Sequence, residues 1–209
     1  MKTLYFTFVI VALDQISKIL IKGINIPFFG FKHSGIKINQ SIKIINDLFQ
    51  LTYVENYGIA FGIDLGRNFK VAVSIFTILA VIGIFYYLFI SRHKSFSIRF
   101  AIAVLLGGAI GNLIDRTFYG VFYEYAPIFH GRVVDFFHID FFDYSLFGKY
   151  YDSFPIFNIA DLSVFIGTMM LLWISFKSKK PETDEINKSE TTLQEEEDKP
   201  TAQSDVINI

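Results

Sequence analysis

Four long apolar runs set the limits on what this chain can fold into: Leu4 to Ile21, Val71 to Ile90, Ile98 to Ile114 and Phe157 to Phe176. A helix needs roughly 20 mostly apolar residues to cross the hydrocarbon core of a bilayer, and each run reaches or nearly reaches that length. Four such runs with polar segments between them predict a polytopic membrane protein, all-α in its spans. Composition alone would not, because the chain is 52% hydrophobic and soluble domains are about half apolar as well. The third run is the shortest and is rich in glycine, so its ends are poorly marked.

The basic residues supply an orientation. Lys2 precedes the first run, Arg92, Lys94 and Arg99 separate the second from the third, and Lys177, Lys179 and Lys180 follow the fourth. By the positive-inside rule these segments face the cytoplasm, which puts both termini inside and residues 23–70 and 115–156 outside. Lys22, Lys32, Lys37, Lys43, Arg67 and Lys70 in the first outer segment weaken that bias. The first run has the length of a secretory leader, but it lacks a small-residue cleavage site and carries Asp14 and Lys18, so it reads as a retained helix.

No cysteine is present, which excludes disulfides, thiol catalysis and thiolate metal sites. The net charge of -1 conceals an asymmetry: residues 181–209 hold nine acids and two lysines, and the rest carries 17 basic against 11 acidic residues. That stretch is poor in apolar residues and reads as a disordered cytoplasmic tail. The remaining 180 residues form one membrane domain, with no internal repeat.

Ionisable groups within membrane spans are expensive and usually face a bundle interior or a wet cavity, which makes each a functional candidate. Asp14 and Lys18, in "LDQISKIL", stand at i and i+4 on one helix face. An ion pair that eases insertion and packing is their plain reading, and a direct chemical role is the alternative. In "LLGGAIGNLIDR", Gly107 and Gly111 have the spacing of a close helix–helix contact. Asn112, Asp115 and Arg116 follow on one face near the outer end of the third span. Arg116 can pair with Asp115 or anchor an anionic or carbonyl-rich ligand through its forked donors, while Asp115 suits a network that orients other groups.

"FNIAD" repeats the device at the outer start of the fourth span, with Asn158 and Asp161 at i and i+3 and small Ala160 leaving room beside them. "VVDFF" brings Asp135 in from the outer loop, flanked by residues able to dip into the membrane interface. Topology puts Asp135 and Asp161 on the same side at similar depth. The basic residues near them in sequence are Arg116, Arg132 and His138. Two carboxyls sharing an apolar site cannot both ionise cheaply, so one keeps its proton near neutrality. The charged member can then take a proton from water while the neutral one polarises a carbonyl, as in aspartic proteases. Such a site needs no metal and no cofactor.

Leu48 to Val54 reads as a short strand, and Asn56, Gly58 and Gly62 mark a turn or a close backbone approach. Asn56 is either a plain turn asparagine or an amide that fixes a peptide backbone.

Taken in order, Asp14-Gln15-x-x-Lys18, Asn56-x-Gly58-x-Ala60-Phe61, Gly107-Gly108-Ala109-x-Gly111-Asn112-x-x-Asp115-Arg116, Val133-Val134-Asp135-Phe136 and Phe157-Asn158-x-Ala160-Asp161 resemble lipoprotein signal peptidase, the bacterial signal peptidase II family of membrane aspartyl proteases. The resemblance covers residues 4 to about 176. It implies cleavage of prolipoproteins on the amino side of a diacylglyceryl-modified cysteine, with Asp135 and Asp161 as the catalytic dyad. It implies that Asn56, Asn112, Arg116 and Asn158 line the site or hold substrate, and that Asp14, Lys18, Gly58, Gly108, Asp115 and Ala160 support it. A four-helix bundle with a small extracytoplasmic antiparallel sheet, formed by residues of about 43–65 and cradled on the membrane, is the implied fold. The implied partners are prolipoprotein and membrane lipid, with no nucleic acid, and the implied assembly is a monomer sensitive to globomycin in the bacterial inner membrane. The 18 residues between Arg116 and Asp135, and the 22 between Asp135 and Asn158, are longer than the family's pattern suggests, and the acidic tail stands outside it.

Two other classes use the same residues. A proton-coupled transporter or small channel would employ intramembrane Asp, Asn and Arg as a relay, but four spans without a repeat make a thin scaffold and the acids gather near one face. A non-catalytic assembly protein gives no reason for Asp135 and Asp161 to lie at matching depth.

Overall fold

The computed structural model describes residues 2–57, 66–140, 144–146, 149–151 and 154–177. The acidic tail expected at 181–209, and Gly58 with the rest of segment 58–65, lie outside the described residues. Met1–Met170 form one compact unit, which carries every contact discussed below. The second unit, Leu171–Ile209, is described only through the last turns of the final helix.

Among the described residues four helices are long and apolar enough to cross a membrane. They are α1 (Leu4–Lys22), α2 (Gly66–Ile90), α3 (Phe96–Ile114) and α5 (Ile159–Lys177); α4 is a single turn at Gly120–Phe122. Their outer faces carry Phe8, Leu20, Phe76, Leu79, Tyr86 and Phe165, all exposed. An apolar girdle of that extent would be untenable in water and suits hydrocarbon. The central helix is α3, half of whose span is buried (50%) against 11–22% for the other three.

Glycine is what makes α3 central. A Cβ on Gly107 would press on Ile10 of α1, one on Gly111 would strike the Asp14 carboxylate, and one on Gly108 would collide with the Ala160 carbonyl of α5. Small residues of this kind let helix backbones approach closely where no hydrophobic effect drives them together.

The third apolar run ends at Ile114, but its helix does not. It widens into a π-helical turn at Asp115–Tyr119 and continues through α4, giving one 27-residue span, Phe96–Phe122. Asp115 can stay buried at that depth because it is paired with Lys18 within the protein. A π turn leaves carbonyls without helical partners. Here the Arg116 carbonyl accepts from the Gly131 N–H (2.9 Å) and the Thr117 carbonyl from the Phe129 N–H (3.2 Å), which draws the returning chain against the turn.

Among the described residues three small antiparallel sheets accompany the helices. β1 (Ile24–Ile26) and β2 (Phe31–His33) form a hairpin; β3 (Ser41–Ile45), β4 (Phe49–Asn56) and β5 (Val133–Ile139) form a three-stranded sheet in that order; β6 (Tyr144–Leu146) and β7 (Lys149–Tyr151) form a second hairpin. The strand expected at Leu48 to Val54 is thus β4, and it lies at the centre of its sheet. β5 comes from the long segment before Asn158 and pairs Val133 with Asn56 and Asp135 with Val54. Its Val-Val and Phe-Phe pairs favour a strand. Ile21, Tyr53, Tyr119, Val134 and Phe136 form the apolar core that seats this sheet on the outer ends of α1 and α3.

Candidate active site

Asp161 owes its position to the start of a helix. Asn158 precedes α5 and caps it: its Oδ1 accepts from the Asp161 N–H (2.9 Å), while Asp161 Oδ2 accepts from the Asn158 N–H (3.3 Å). This is a reciprocal capping box, with Asp where Glu is commoner. The arrangement holds a carboxylate at a helix N-terminus, where the peptide dipoles favour negative charge. A further orphan donor of the first turn, the Ala160 N–H, is met from outside by Asp14 Oδ1 at 2.9 Å. Asn112 Nδ2 completes the setting by donating to Asp161 Oδ1 at 2.7 Å.

Asp135 reaches the same place from the sheet. It is 3% exposed in the middle of β5. Asn158 Nδ2 donates to its Oδ1 (2.6 Å) and Asn56 Nδ2 to its Oδ2 (3.1 Å). The Asn158 amide is not free to turn over, because a backbone N–H can only donate and holds Oδ1 toward Asp161. Nδ2 must therefore face Asp135, and one asparagine bridges the two acids. Burial, followed by the charge of Asp161 nearby, pushes the Asp135 carboxyl from its ordinary 3.8 up to about 7.

Beneath the acids lies a cation with no exposure. Lys18 Nζ is 2.8 Å from Asp14 Oδ2, 2.7 Å from Asp115 Oδ2 and 3.0 Å from Asn112 Oδ1, so all three of its donors are used. The i,i+4 pair expected on α1 is present, and it is shared with a second helix. Asp115 also accepts from the Val134 N–H (3.3 Å) next to Asp135, and its Oδ1 accepts from Gln15 Nε2 (2.9 Å). It therefore orients α1, α3 and β5 together. Asp115 turns toward Lys18 and not toward Arg116, whose Nη1 donates to the Asn112 carbonyl at 3.3 Å.

Arg116, Asn112 and Asp161 open onto an apolar groove of about 510 Å³ between α2, α3 and α5, walled by Phe76, Val164 and Thr168. A smaller groove of about 270 Å³, walled by Phe154, Phe157, Leu162 and Phe165, also ends at Asp161. Of the other basic residues near the acids, His138 Nδ1 bonds Thr52 Oγ1 (3.0 Å) and Arg132 pairs with Glu55 (2.7 Å). Among the described residues the salt bridges bypass Asp135 and Asp161, which are held by amides instead. No group of three His, Asp or Glu suited to a metal occurs among the described residues.

Three contributors were not visible in the sequence. Gln15 ties α1 to the π turn, donating to the Gly111 carbonyl (3.1 Å) and accepting from the Tyr119 hydroxyl (3.1 Å). Glu55, one residue before Asn56, pairs with both Lys22 and Arg132 and accepts from the Tyr53 hydroxyl at 2.7 Å. Burial opposes charge on Glu55, but the bonds from Lys22, Tyr53 and Arg132 outweigh it and hold the carboxyl below its usual range. Lys22 also sits over the rings of Tyr53, Tyr123 and Tyr125. The one available cue was an acid among tyrosines beside a motif residue.

Comparison with known proteins adds to this geometry. A family model described as signal peptidase (SPase) II matches residues 6–177. A lipoprotein signal peptidase of Pelodictyon phaeoclathratiforme is 35% identical over 81% of this chain and 88% of its own length. One from Halothermothrix orenii is 30% identical over 82% and 93%. A solved bacterial membrane enzyme, determined by the in meso method at 1.9 Å, superposes with a TM-score of 0.61 at 31% identity, covering 84% of this chain and 93% of its own.

Proposed function

This chain belongs to the signal peptidase II family, and on that premise we propose that Asp135 and Asp161 are its catalytic dyad and that the protease is of the aspartic class. It removes signal peptides from prolipoproteins. The substrate is a diacylglyceryl-modified prolipoprotein, cut on the amino side of the modified cysteine. The observation that carries the dyad reading is Asn158, whose side-chain amide donates to the Asp135 carboxyl and whose backbone N–H donates to the Asp161 carboxylate, with the Asp135 proton held to near neutrality.

In the proposed cycle Asp135 enters protonated and donates a hydrogen bond to the scissile carbonyl oxygen, while Asp161 accepts a proton from the attacking water. The water oxygen bonds to the carbonyl carbon as Asp135 passes its proton to the carbonyl oxygen, which gives a tetrahedral diol. Asp161 then gives its proton to the cysteine nitrogen, the C–N bond breaks, Asp135 takes back a proton from a diol hydroxyl, and the signal peptide leaves with a new carboxyl. Asn158 and Asn112 hold the carboxylates in place, Asn56 steadies Asp135, and Arg116 faces the groove to take a substrate carbonyl. The larger groove at Asp161 lies between apolar helices, which suits a substrate that never leaves the bilayer. Further parts of the proposal are a monomer in the bacterial cytoplasmic membrane, cytoplasmic chain ends and an extracytoplasmic site. Residues 1–180 are the peptidase domain and 181–209 a separate tail. Family membership removes the ground for a transporter.

The test is cleavage in vitro of a diacylglyceryl-modified prolipoprotein by wild type, Asp135→Asn and Asp161→Asn. Wild-type cleavage that globomycin blocks, and loss in both folded variants, is the expected result. Robust cleavage by either variant removes that residue from the dyad.

A further inference from the structure

Between α1 and the three-stranded sheet the chain makes a detour that the cleavage chemistry does not use. Residues 24–33 form the β1/β2 hairpin, closed by a tight turn at Pro27–Phe29 with Gly30 in the left-handed region. Phe28, Phe29 and Phe31 at its tip are 89%, 75% and 54% exposed. Phe28 and Phe29 pack edge to face with ring centroids 4.9 Å apart, so the tip is a formed apolar knob. None of the three lies in a membrane-spanning helix. A contiguous aromatic patch of this kind marks an interaction surface.

The base of the hairpin is tied to the last turn of α1. The Ile36 N–H donates to the Ile21 carbonyl (2.7 Å), and His33 Nε2 bonds the Leu20 carbonyl (2.9 Å). The 19 residues of α1 extend about 28 Å at 1.5 Å per residue. That matches a hydrocarbon core of about 30 Å, so the end of α1 stands where acyl chains meet headgroups. Each strand of the hairpin has three residues and advances about 10 Å. From Lys22 to Phe28 the chain can reach no further than about 20 Å, and the His33 bond to the Leu20 carbonyl holds the base of the hairpin beside α1. Ile16 and Leu20 are exposed on α1, and Lys32 and Lys37 are exposed on the hairpin and just after it.

We propose that the β1/β2 hairpin is an interfacial lipid anchor, with Phe28, Phe29 and Phe31 inserted at the headgroup–acyl boundary and Lys32 and Lys37 toward lipid phosphates. Aromatic side chains favour that layer, and lysines reach from it to charge. The anchor also bears on the site, a consequence that rests on the peptidase reading above. Past the hairpin, the Asn39 N–H donates to the Tyr53 carbonyl (2.8 Å) and the Tyr53 N–H to the Gln40 carbonyl (3.1 Å). Tyr53 is in β4, which ends in Asn56, the donor to Asp135. The hairpin thus sets the depth of the sheet, and of Asp135, relative to a lipid-held cysteine.

The test uses the full chain in phosphatidylcholine–phosphatidylglycerol vesicles. Phe28→Trp in a Trp173→Phe background places one indole at the tip. Blue-shifted emission, quenched by lipids brominated near the headgroup end of the acyl chain and little affected by aqueous iodide, is expected. Emission typical of water, quenched by iodide and not by brominated lipid, would overturn the anchor. That reading involves no cleavage, so its failure leaves the peptidase reading standing. For the effect on depth, Phe28→Ser combined with Phe29→Ser and Phe31→Ser should raise KM several-fold in vesicles with kcat unchanged. An unchanged KM in protein that spectroscopy shows detached from lipid removes the link to the site.

Discussion

Asp161 and Asp135 meet at one asparagine but are supported by different kinds of structure. Asp161 is in the first turn of a helix, where backbone dipoles and the Asn112 amide favour its charge. Asp135 is buried within a strand and takes its two amide bonds from Asn56 and Asn158, on separate elements. The helix end favours a carboxylate, whereas the strand interior favours a carboxylic acid. Two chemically identical side chains thereby sit in unlike settings, which on the proposed mechanism lets one act as acid and the other as base.

The sharpest way to break this contrast is to neutralise each acid in turn. Asp135→Asn and Asp161→Asn should each lower cleavage by at least about 10²-fold, the lower range for a general acid or base, yet shift thermal stability in opposite directions. The folded-state pKa of Asp135, about 7, lies above its ordinary 3.8, so ionisation costs the native state stability as pH rises from about 4 through 7. Asp135→Asn should therefore raise Tm above pH 7 and have no such effect near pH 4. Asp161→Asn, which takes charge from a helix N-terminus, should lower Tm at neutral pH. Scanning calorimetry across that range, beside the cleavage assay, decides it.

Lys18→Met attacks the support shared by both regions. It leaves Asp14 and Asp115 facing one another without their cation and should cost about 3–5 kcal/mol, the usual penalty for breaking a buried pair. Adding Asp115→Asn should recover part of the loss in a denaturation assay. Asn158→Ala removes both the helix cap and the bridge. About 1–2 kcal/mol is expected from the cap, and the two acids should then titrate with less mutual dependence in the pH–rate profile.

The smallest effect is also the most selective. The Asn56 bond lowers the pKa of Asp135, so Asn56→Ala should raise it further and move the alkaline limb of the pH–rate profile to higher pH. Asn112→Ala, which touches Asp161, should leave that limb in place. A common shift in both variants would mean that the two acids are not separately tuned.

The helices were legible because a span is a property of consecutive residues: α1 and α5 begin and end within two residues of their apolar runs. The extension of α3 through Asp115 and Arg116 was hidden, since the partner that lets Asp115 stay buried, Lys18, is 97 positions away. β5 was obscured for a related reason. Asp135 interrupts its apolar pattern, and its pairing with β4 joins residues nearly 80 apart. The acids, amides and Arg116 stood out as polar groups in apolar surroundings. Their division into a capped helix end and a buried strand did not, because Asn-x-x-Asp reads equally well as two residues on a face and as a capping box. Gln15 stood in the first motif without a legible role, and Glu55 was marked only by its place among tyrosines beside Asn56.

The Lys18 cluster constrains the order in which the molecule can become active during biosynthesis. As α1 emerges, its one internal counterion for Lys18 is Asp14, and that pair makes the segment less costly to pass into the membrane. Both residues take partners that emerge much later: Asn112 and Asp115 on the α3 span, then the Ala160 N–H at the start of α5. Helix α5, made after α1 and α3, brings Asp161, and its first turn docks on α1. On the proposed dyad, a chain translated only as far as α3 has one of its two acids still to come. Proteolytic competence would then arrive with α5, after the helices that confine it are in place.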